Sequence, residues 1–280
     1  MNKKALAVSI VIPVFNDENY IKNCLDAVKK QIVKPDEVII VDNNCTDNSI
    51  KKAKEYDFVK VVKETKQGVL FARSKGFNVA QGDVIGRVDA DTRMNKDWVK
   101  QLHAIFKDDS VAAVTGPLYF FDMPFSPHNI FLDHMFKGPL HKYDKKFPFL
   151  AGNNMAIRKT AWNFVKTDEC KDKTIHEDID LAIHLHINNY KVIYDNRLRA
   201  GTSARRYDDR PKQLRRYTSM TRRAFKNHKM RPFGIFVSEI AYTLGYILLW
   251  PIKRSYNPKT GRRTIRQFIR GSTPRKNPAD

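Results

Sequence analysis

The chain has 280 residues, 42% of them hydrophobic and 11% aromatic, enough to bury a sizeable core, so wholesale disorder is excluded. Lys and Arg number 51 against 30 Asp and Glu, a formal net charge of +21. The three cysteines, Cys24, Cys45 and Cys170, share no metal-ligand spacing; they exclude a disulfide-dense secreted scaffold and a cysteine-based zinc site, and they suit a reducing cytosol.

The first apolar run follows two lysines, as in a signal peptide. Pro13 interrupts it, Asn16 and Asp17 end it, and no small-residue cleavage site follows, so Val8 to Val14 reads as a first strand. Further β-branched runs lie at Glu37 to Val41, Phe58 to Val62 and Val84 to Val88. Between them, 19–31, 48–56 and 69–80 carry helical spacing. Alternation of this kind predicts an α/β fold with a mostly parallel sheet flanked by helices. Ligands in such sheets bind beyond the carboxyl ends of the strands. Three of these ends are polar: Phe15-Asn16-Asp17, Asp42-Asn43-Asn44 and Asp89-Ala90-Asp91.

The last of these is the sharpest signal. Two carboxylates at alternate positions after a buried-type strand can offer oxygens to Mg²⁺ or Mn²⁺; a solvated turn or helix cap is the plainer alternative. Asp42 sits where a base or ribose would lie, whereas Asp47 and Asn48 suit a helix cap.

From 116 to 150 the pattern turns irregular. Prolines stand at 117, 124, 127, 139 and 148, and aromatics crowd between Tyr119 and Phe149, Phe136 among them. Such a run is either packing or an apolar acceptor surface. A strand-like run follows at 151–158. A helix opens at Glu177-Asp178-Ile179-Asp180, with more acids than a helix N-terminus needs, so one of them is a candidate general base. His184 and His186 lie two apart and do not share a helix face, which argues against a joint metal site. A late strand is expected at Lys191 to Tyr194.

Residues 197–280 hold 22 Lys and Arg but four acids, a net +18. This basic arm seeks phosphate on nucleic acid, membrane or nucleotide. Within it, 233–252 is an apolar run whose one charge is Glu239, about 30 Å long as a helix. Basic clusters on both sides argue against a simple span. Ser238, Glu239 and Thr243 form a stripe that suits an interfacial helix, and a buried core helix is the third option. The division expected is a catalytic domain over 1–230 and a membrane-associating segment with a basic tail over 231–280, the tail after Asn257 fraying.

These motifs stand in the order of the inverting glycosyltransferases of family 2, which have the GT-A fold, and the chain resembles them over roughly residues 6 to 225. The matching elements are 8–16, 37–44 with Thr46-Asp47, and Gly68 with Ala72-Arg73 and Gly76. Ala80-Gln81-Gly82-Asp83, Asp89-Ala90-Asp91, 151–158, 177–181 and Gln213-x-x-Arg216-Tyr217 complete the set. The resemblance implies transfer of a sugar from a nucleotide diphosphate sugar to an acceptor hydroxyl, with inversion. It implies Asp178 as catalytic base and Asp91, with Asp89, as ligands of Mg or Mn. Pro13, Phe15, Asp42 and Arg73 fall to the nucleobase side, and Asp89 to the ribose. Gln213 and Arg216 fall to the pyrophosphate or acceptor, and Glu177, Asn153 and Asn154 to the acceptor side. Lys66 and Tyr217 depart from the residues the family more often carries. The chain lacks the several membrane spans of a processive synthase, which implies single addition.

The acceptor expected is a lipid-linked or cell-envelope hydroxyl compound, met at the cytoplasmic face of an anionic membrane. A metal-dependent nucleotidyltransferase and a nucleic-acid-binding α/β protein are the alternatives. The arm has no recognisable reading motif, and the acid triplets repel a polyanion, so nucleic acid is not the expected partner.

Overall fold

The computed structural model describes residues 6–144, 147–258, 260–265 and 268. The strands are β1 (Val8–Val14), β2 (Glu37–Asp42), β3 (Val59–Lys63), β4 (Val84–Arg87), β5 (Thr92–Met94), β6 (Val111–Thr115), β7 (Leu118–Phe120), β8 (Met155–Arg158), β9 (Lys191–Tyr194), β10 (Ala200–Thr202), and β11 (Tyr256–Asn257) and β12 (Arg262–Arg263), which pair antiparallel where the tail was expected to fray. The helices are α1 (Ile21–Lys29), α2 (Ser49–Ala53), α3 (Val69–Val79), α4 (Trp98–Ile105), α5 (Ile130–Tyr143), α6 (Lys159–Val165), α7 (Glu177–Ile187), α8 (Pro211–Asn227) and α9 (Gly234–Ser255).

The main sheet runs β3-β2-β1-β4-β8-β6-β9. Its pairings are parallel apart from those of β8, which runs antiparallel to β4 and β6. β1, β2, β4 and β6 are almost wholly buried, as continuous apolar strands covered on both faces must be. One face packs on α1 and α4 through Ile21, Leu25, Val28, Trp98 and Leu102. The other packs on α3, α6 and α7 through Phe77, Trp162, Leu181 and Leu185. A small sheet, β5-β10-β7, lies beside it.

The expected early strands and helices are present, β1 with the bounds expected and the others with ends within three residues. Two features differ from expectation. Residues 130–143 form a helix despite Gly138 and Pro139, because α5 packs against β7 and β9 and tertiary contact outweighs the local breaker. The aromatic run divides: Phe147 and Phe149 join Ile175, Ile179 and Phe225 in a third apolar cluster, whereas Phe125, Phe131 and Tyr143 are exposed. The side chain of Phe136 and most of the tail beyond Asn257 lie outside the described residues.

Gly68 caps α3 with φ +135°, a conformation a β-carbon disfavours. Its N–H donates to Asn43 Oδ1 at 2.8 Å, which ties the loop before α3 to the end of β2. The expected boundary at 230/231 falls between α8 and α9.

Candidate active site

Because β2, β1 and β4 are parallel neighbours, their carboxyl ends share one edge of the sheet. Val14 pairs with Asp42 in register, which puts Pro13, Phe15 and Asp42 side by side there. Asn16, at φ +53°, accepts from Thr46 N at 2.8 Å and interlocks the loops after β1 and β2. Asp42 Oδ1 accepts from Cys45 N, three residues on, at 2.9 Å, which fixes the loop that leaves β2.

Arg87 leads from this edge to α7. It stands at the end of a buried strand and is 3% exposed. Its guanidinium donates to Asp89 Oδ1 at 3.1 Å and to Glu177 Oε1 at 2.6 Å. Burial works against its charge, but Glu177, Asp89 and Asp178 outweigh that and raise its pKa. Gly152 makes room for this: a β-carbon there would meet the Arg87 guanidinium at 2.1 Å. Arg87 therefore joins the acid-bearing end of β4 to the first turn of α7.

On that turn, Asp178 accepts from Gly152 N at 2.7 Å through Oδ2. Burial and then the Glu177 charge push its pKa up, against His176 and Arg87. That direction suits a base that must take and later release a proton near neutral pH. Glu177 shifts the other way: burial opposes its charge, but Arg87 and Arg73 hold its pKa down. Two adjacent carboxyls thus diverge. His176, whose pKa burial lowers, meets the Tyr217 carbonyl at 3.0 Å through Nε2. A carbonyl only accepts, so Nε2 carries the proton. The Tyr217 ring stands edge-on to His176 at 4.4 Å, so α8 braces the start of α7.

Arg205, in the turn at 204–208, lies against both Asp17 and Asp91: Nη1 is 2.7 Å from Asp17 Oδ1 and Nε is 2.7 Å from Asp91 Oδ2. Neither Arg87 nor Arg205 was picked out from the sequence. An arginine two residues before Asp89, inside a buried apolar run, was a usable signal for Arg87. Arg205 is one of many cations in the basic arm and had none.

Three of the expected site residues are engaged within the protein. Arg73 has no exposed surface; it is ion-paired with Glu169, and its Nη2 donates to the Glu177 carbonyl at 3.2 Å. It supports α7 from within the core. Asn154 is also fully buried. It accepts from Trp98 Nε1 at 2.8 Å and donates to the carbonyls of Leu198 and Pro117 at 2.8 and 3.2 Å. It ties α4 and the segments ending at Pro117 and Leu198 together. Glu177 is 8% exposed and engaged by Arg87, so it positions rather than contacts. Asn153 stays half-buried beside Gly152, its carbonyl accepting from Thr92 Oγ1 at 3.3 Å. Gln213 accepts from Arg210 N at 2.8 Å and caps α8, with Arg216 exposed one turn on.

Asp89 and Asp91 fit a hard divalent cation: both are oxygen donors at one strand end, and the Asp89 side chain is 39% exposed. Arg205 stands on one oxygen of Asp91, Oδ2.

Residues 9–164 match the model of Glycosyl transferase family 2. A 100-residue stretch is 34% identical to Putative glycosyltransferase EpsH of Bacillus subtilis (strain 168), covering 34% of this chain and 29% of that protein. The chain thus spans well under two thirds of that relative. The fold is similar to that of mannosyltransferase PcManGT from Pyrobaculum calidifontis, solved in complex with GDP-Man and Mn²⁺. That likeness has TM-score 0.63 and 17% identity, over 90% of this chain and 72% of the other. It is also similar to S. aureus TarS 1-349 in complex with UDP-GlcNAc, with TM-score 0.57 and 18% identity over 71% and 59% of the two chains. At these identities the structural likeness is one of fold. The family model covers more than half of the residues, in the region that holds the convergent strand ends and the Asp-Ala-Asp turn: the chain belongs to glycosyl transferase family 2.

Proposed function

We propose that the chain transfers a sugar from a nucleoside diphosphate sugar to an acceptor hydroxyl, inverting the anomeric carbon. The observation that carries this reading is the Asp89–Arg87–Glu177 chain, which sets Asp178, with its raised pKa, beside the acid-bearing end of β4. The GDP-Man and UDP-GlcNAc complexes of the two fold neighbours support a donor of this class. Pro13, Phe15 and Asp42 would receive the base and ribose at the ends of β1 and β2. Asp89 and Asp91 would hold Mg²⁺ or Mn²⁺, which would offset charge on the departing diphosphate. Asp178 takes the proton of the acceptor hydroxyl as its oxygen bonds to the anomeric carbon. The bond from that carbon to the diphosphate oxygen breaks, and the electron pair leaves with the nucleotide. The leaving group needs no protein acid, so one base suffices. Nucleoside diphosphate release from a panel of nucleotide sugars with Mn²⁺, with the product anomer assigned by NMR, tests this. Release of pyrophosphate instead would indicate nucleotidyl transfer.

The site would work at the cytoplasmic face of an anionic membrane, on a lipid-linked or envelope hydroxyl acceptor. Helix α9 is long and apolar enough to cross a bilayer, and none of its apolar window is buried. Its polar groups nonetheless bind the body of the protein. Glu239 pairs with Arg222, Tyr246 Oη donates to the Asp209 carbonyl at 2.7 Å, and Lys253 meets Asp122 at 3.0 Å. Phe236, Ile240, Leu244, Ile247 and Leu248 are exposed. A helix so tied on one side and apolar on the other suits an interface more than a span. Sedimentation with anionic liposomes tests this. Loss of binding in Leu248→Asp is expected, and equal binding by both proteins overturns it.

A further inference from the structure

We propose a second metal site, of zinc type, formed by Cys170, Asp180, His184 and His228 and separate from Asp89 and Asp91. One ligand atom from each of these four residues lies within 4.8 Å of the other three. Asp180 and His184 are one turn apart on α7, Cys170 stands in the loop before α7, and His228 caps the end of α8. His228 Nε2 is 2.7 Å from Asp180 Oδ1 and 3.7 Å from Cys170 Sγ; His184 Nε2 is 3.5 Å from Asp180 Oδ2. A tetrahedral zinc ion, with bonds of about 2.0–2.3 Å, spaces its ligand atoms roughly 3.3–3.7 Å apart; the His184–Asp180 and His228–Cys170 separations match that, and the 2.7 Å His228–Asp180 contact, a hydrogen bond, would open to admit the ion.

Hydrogen bonding alone does not account for the group. His184 is nine-tenths buried, and its Nε2, on the side facing Asp180, makes no hydrogen bond. A buried nitrogen lone pair or N–H left unpaired is costly, and a cation at the centre would satisfy it. The donor set also decides the ion. One thiolate, two imidazoles and one carboxylate favour zinc over the hard cations that suit two aspartates.

The exclusion of a cysteine-based site from sequence spacing fails here because the four ligands come from three elements. Zinc would fasten the loop before α7 and the end of α8 to α7, two residues beyond Asp178. Its role would be structural, holding the helix that carries the base.

Cobalt(II) added to the full chain after chelator stripping tests this. The Asp89→Asn/Asp91→Asn variant serves as background, so that the donor site contributes nothing. The result expected is one equivalent of cobalt with a tetrahedral spectrum and a sulfur-to-cobalt charge-transfer band, displaced by zinc. Cys170→Ser, a conservative change at a half-buried position, should abolish the band. His228→Asn should weaken binding by more than the roughly 10–100-fold that outer-shell partners are worth. Zinc should raise Tm in the background variant but not in Cys170→Ser. No thiolate band, or a band that survives Cys170→Ser, overturns the proposal, and neither outcome bears on sugar transfer.

Discussion

Arg205 Nε lies 2.7 Å from Asp91 Oδ2, while the same guanidinium reaches Asp17. Burial opposes the Arg205 charge, but Asp91 and Asp17 outweigh it and raise its pKa. The carboxylate expected to bind a divalent ion is thus already ion-paired with a side chain 114 residues further along the chain, which it shares with Asp17. Arg205→Ala should remove this competing cation from Asp91 and tighten Mn²⁺ binding without donor on the order of tenfold. That is a fraction of the ~4 kcal/mol that unit charges 4 Å apart exchange at an effective dielectric of 20. Calorimetric titration with Mn²⁺ checks it; weaker binding would mean that Arg205 orders Asp91 rather than competing for it.

Asp178→Asn should lower turnover by about 10²–10⁴ while donor affinity holds. The folded-state pKa of Asp178 is raised, so above it the charged carboxylate costs stability, and that cost shrinks as pH falls from the folded value and is gone below the unfolded one. The neutral amide should therefore leave Tm unchanged or higher. Turnover kinetics paired with a thermal melt at pH 7 read both effects. A lower Tm with near-normal turnover would remove Asp178 from the role of base.

The acid limb of the pH–kcat/KM profile should report Asp178 in its ionised form. Burial and then the Glu177 charge raise its pKa. Glu177→Gln removes the second cause and leaves Arg87 facing Asp178 with less competition. Both changes favour the carboxylate, so the limb should move to lower pH. A shift to higher pH would contradict the coupling.

Gly152→Ala should force Arg87 off Glu177, since the new methyl would sit 2.1 Å from the guanidinium. Breaking a buried ion pair by displacing one partner costs about 3–5 kcal/mol, less whatever the Arg87 side chain recovers by bending. Urea denaturation should show a loss of about 3 kcal/mol, with turnover reduced in the folded fraction. Wild-type stability would show that Arg87 is not locked.

Asn154→Ala separates packing from recognition. It strands Trp98 Nε1 and two carbonyls in a dry site, at ~1–3 kcal/mol for each group left unsatisfied. Stability should fall by about 3 kcal/mol, with the acceptor KM of the folded enzyme unchanged. A raised KM at full stability would return Asn154 to the acceptor side.

The layered α/β fold was legible in the sequence because β1, β2 and β4 are near-continuous apolar runs that lead into acids or amides. Asp42, Asp89, Asp91 and Asp178 stand out for the same reason, since polar residues at strand ends and extra acids at a helix start violate a local pattern. Partners distant along the chain leave no such trace. Arg73 matched a motif but is drawn inward by Glu169, and Asn154 matched one but is consumed by Trp98. Arg87, Arg205 and the Cys170–Asp180–His184–His228 group are defined by contacts between elements. Local pattern records which side chains must be buried or capped; which charges meet is decided by tertiary packing, because the Coulomb energy of a pair depends on its distance and burial in space, not on its separation along the chain.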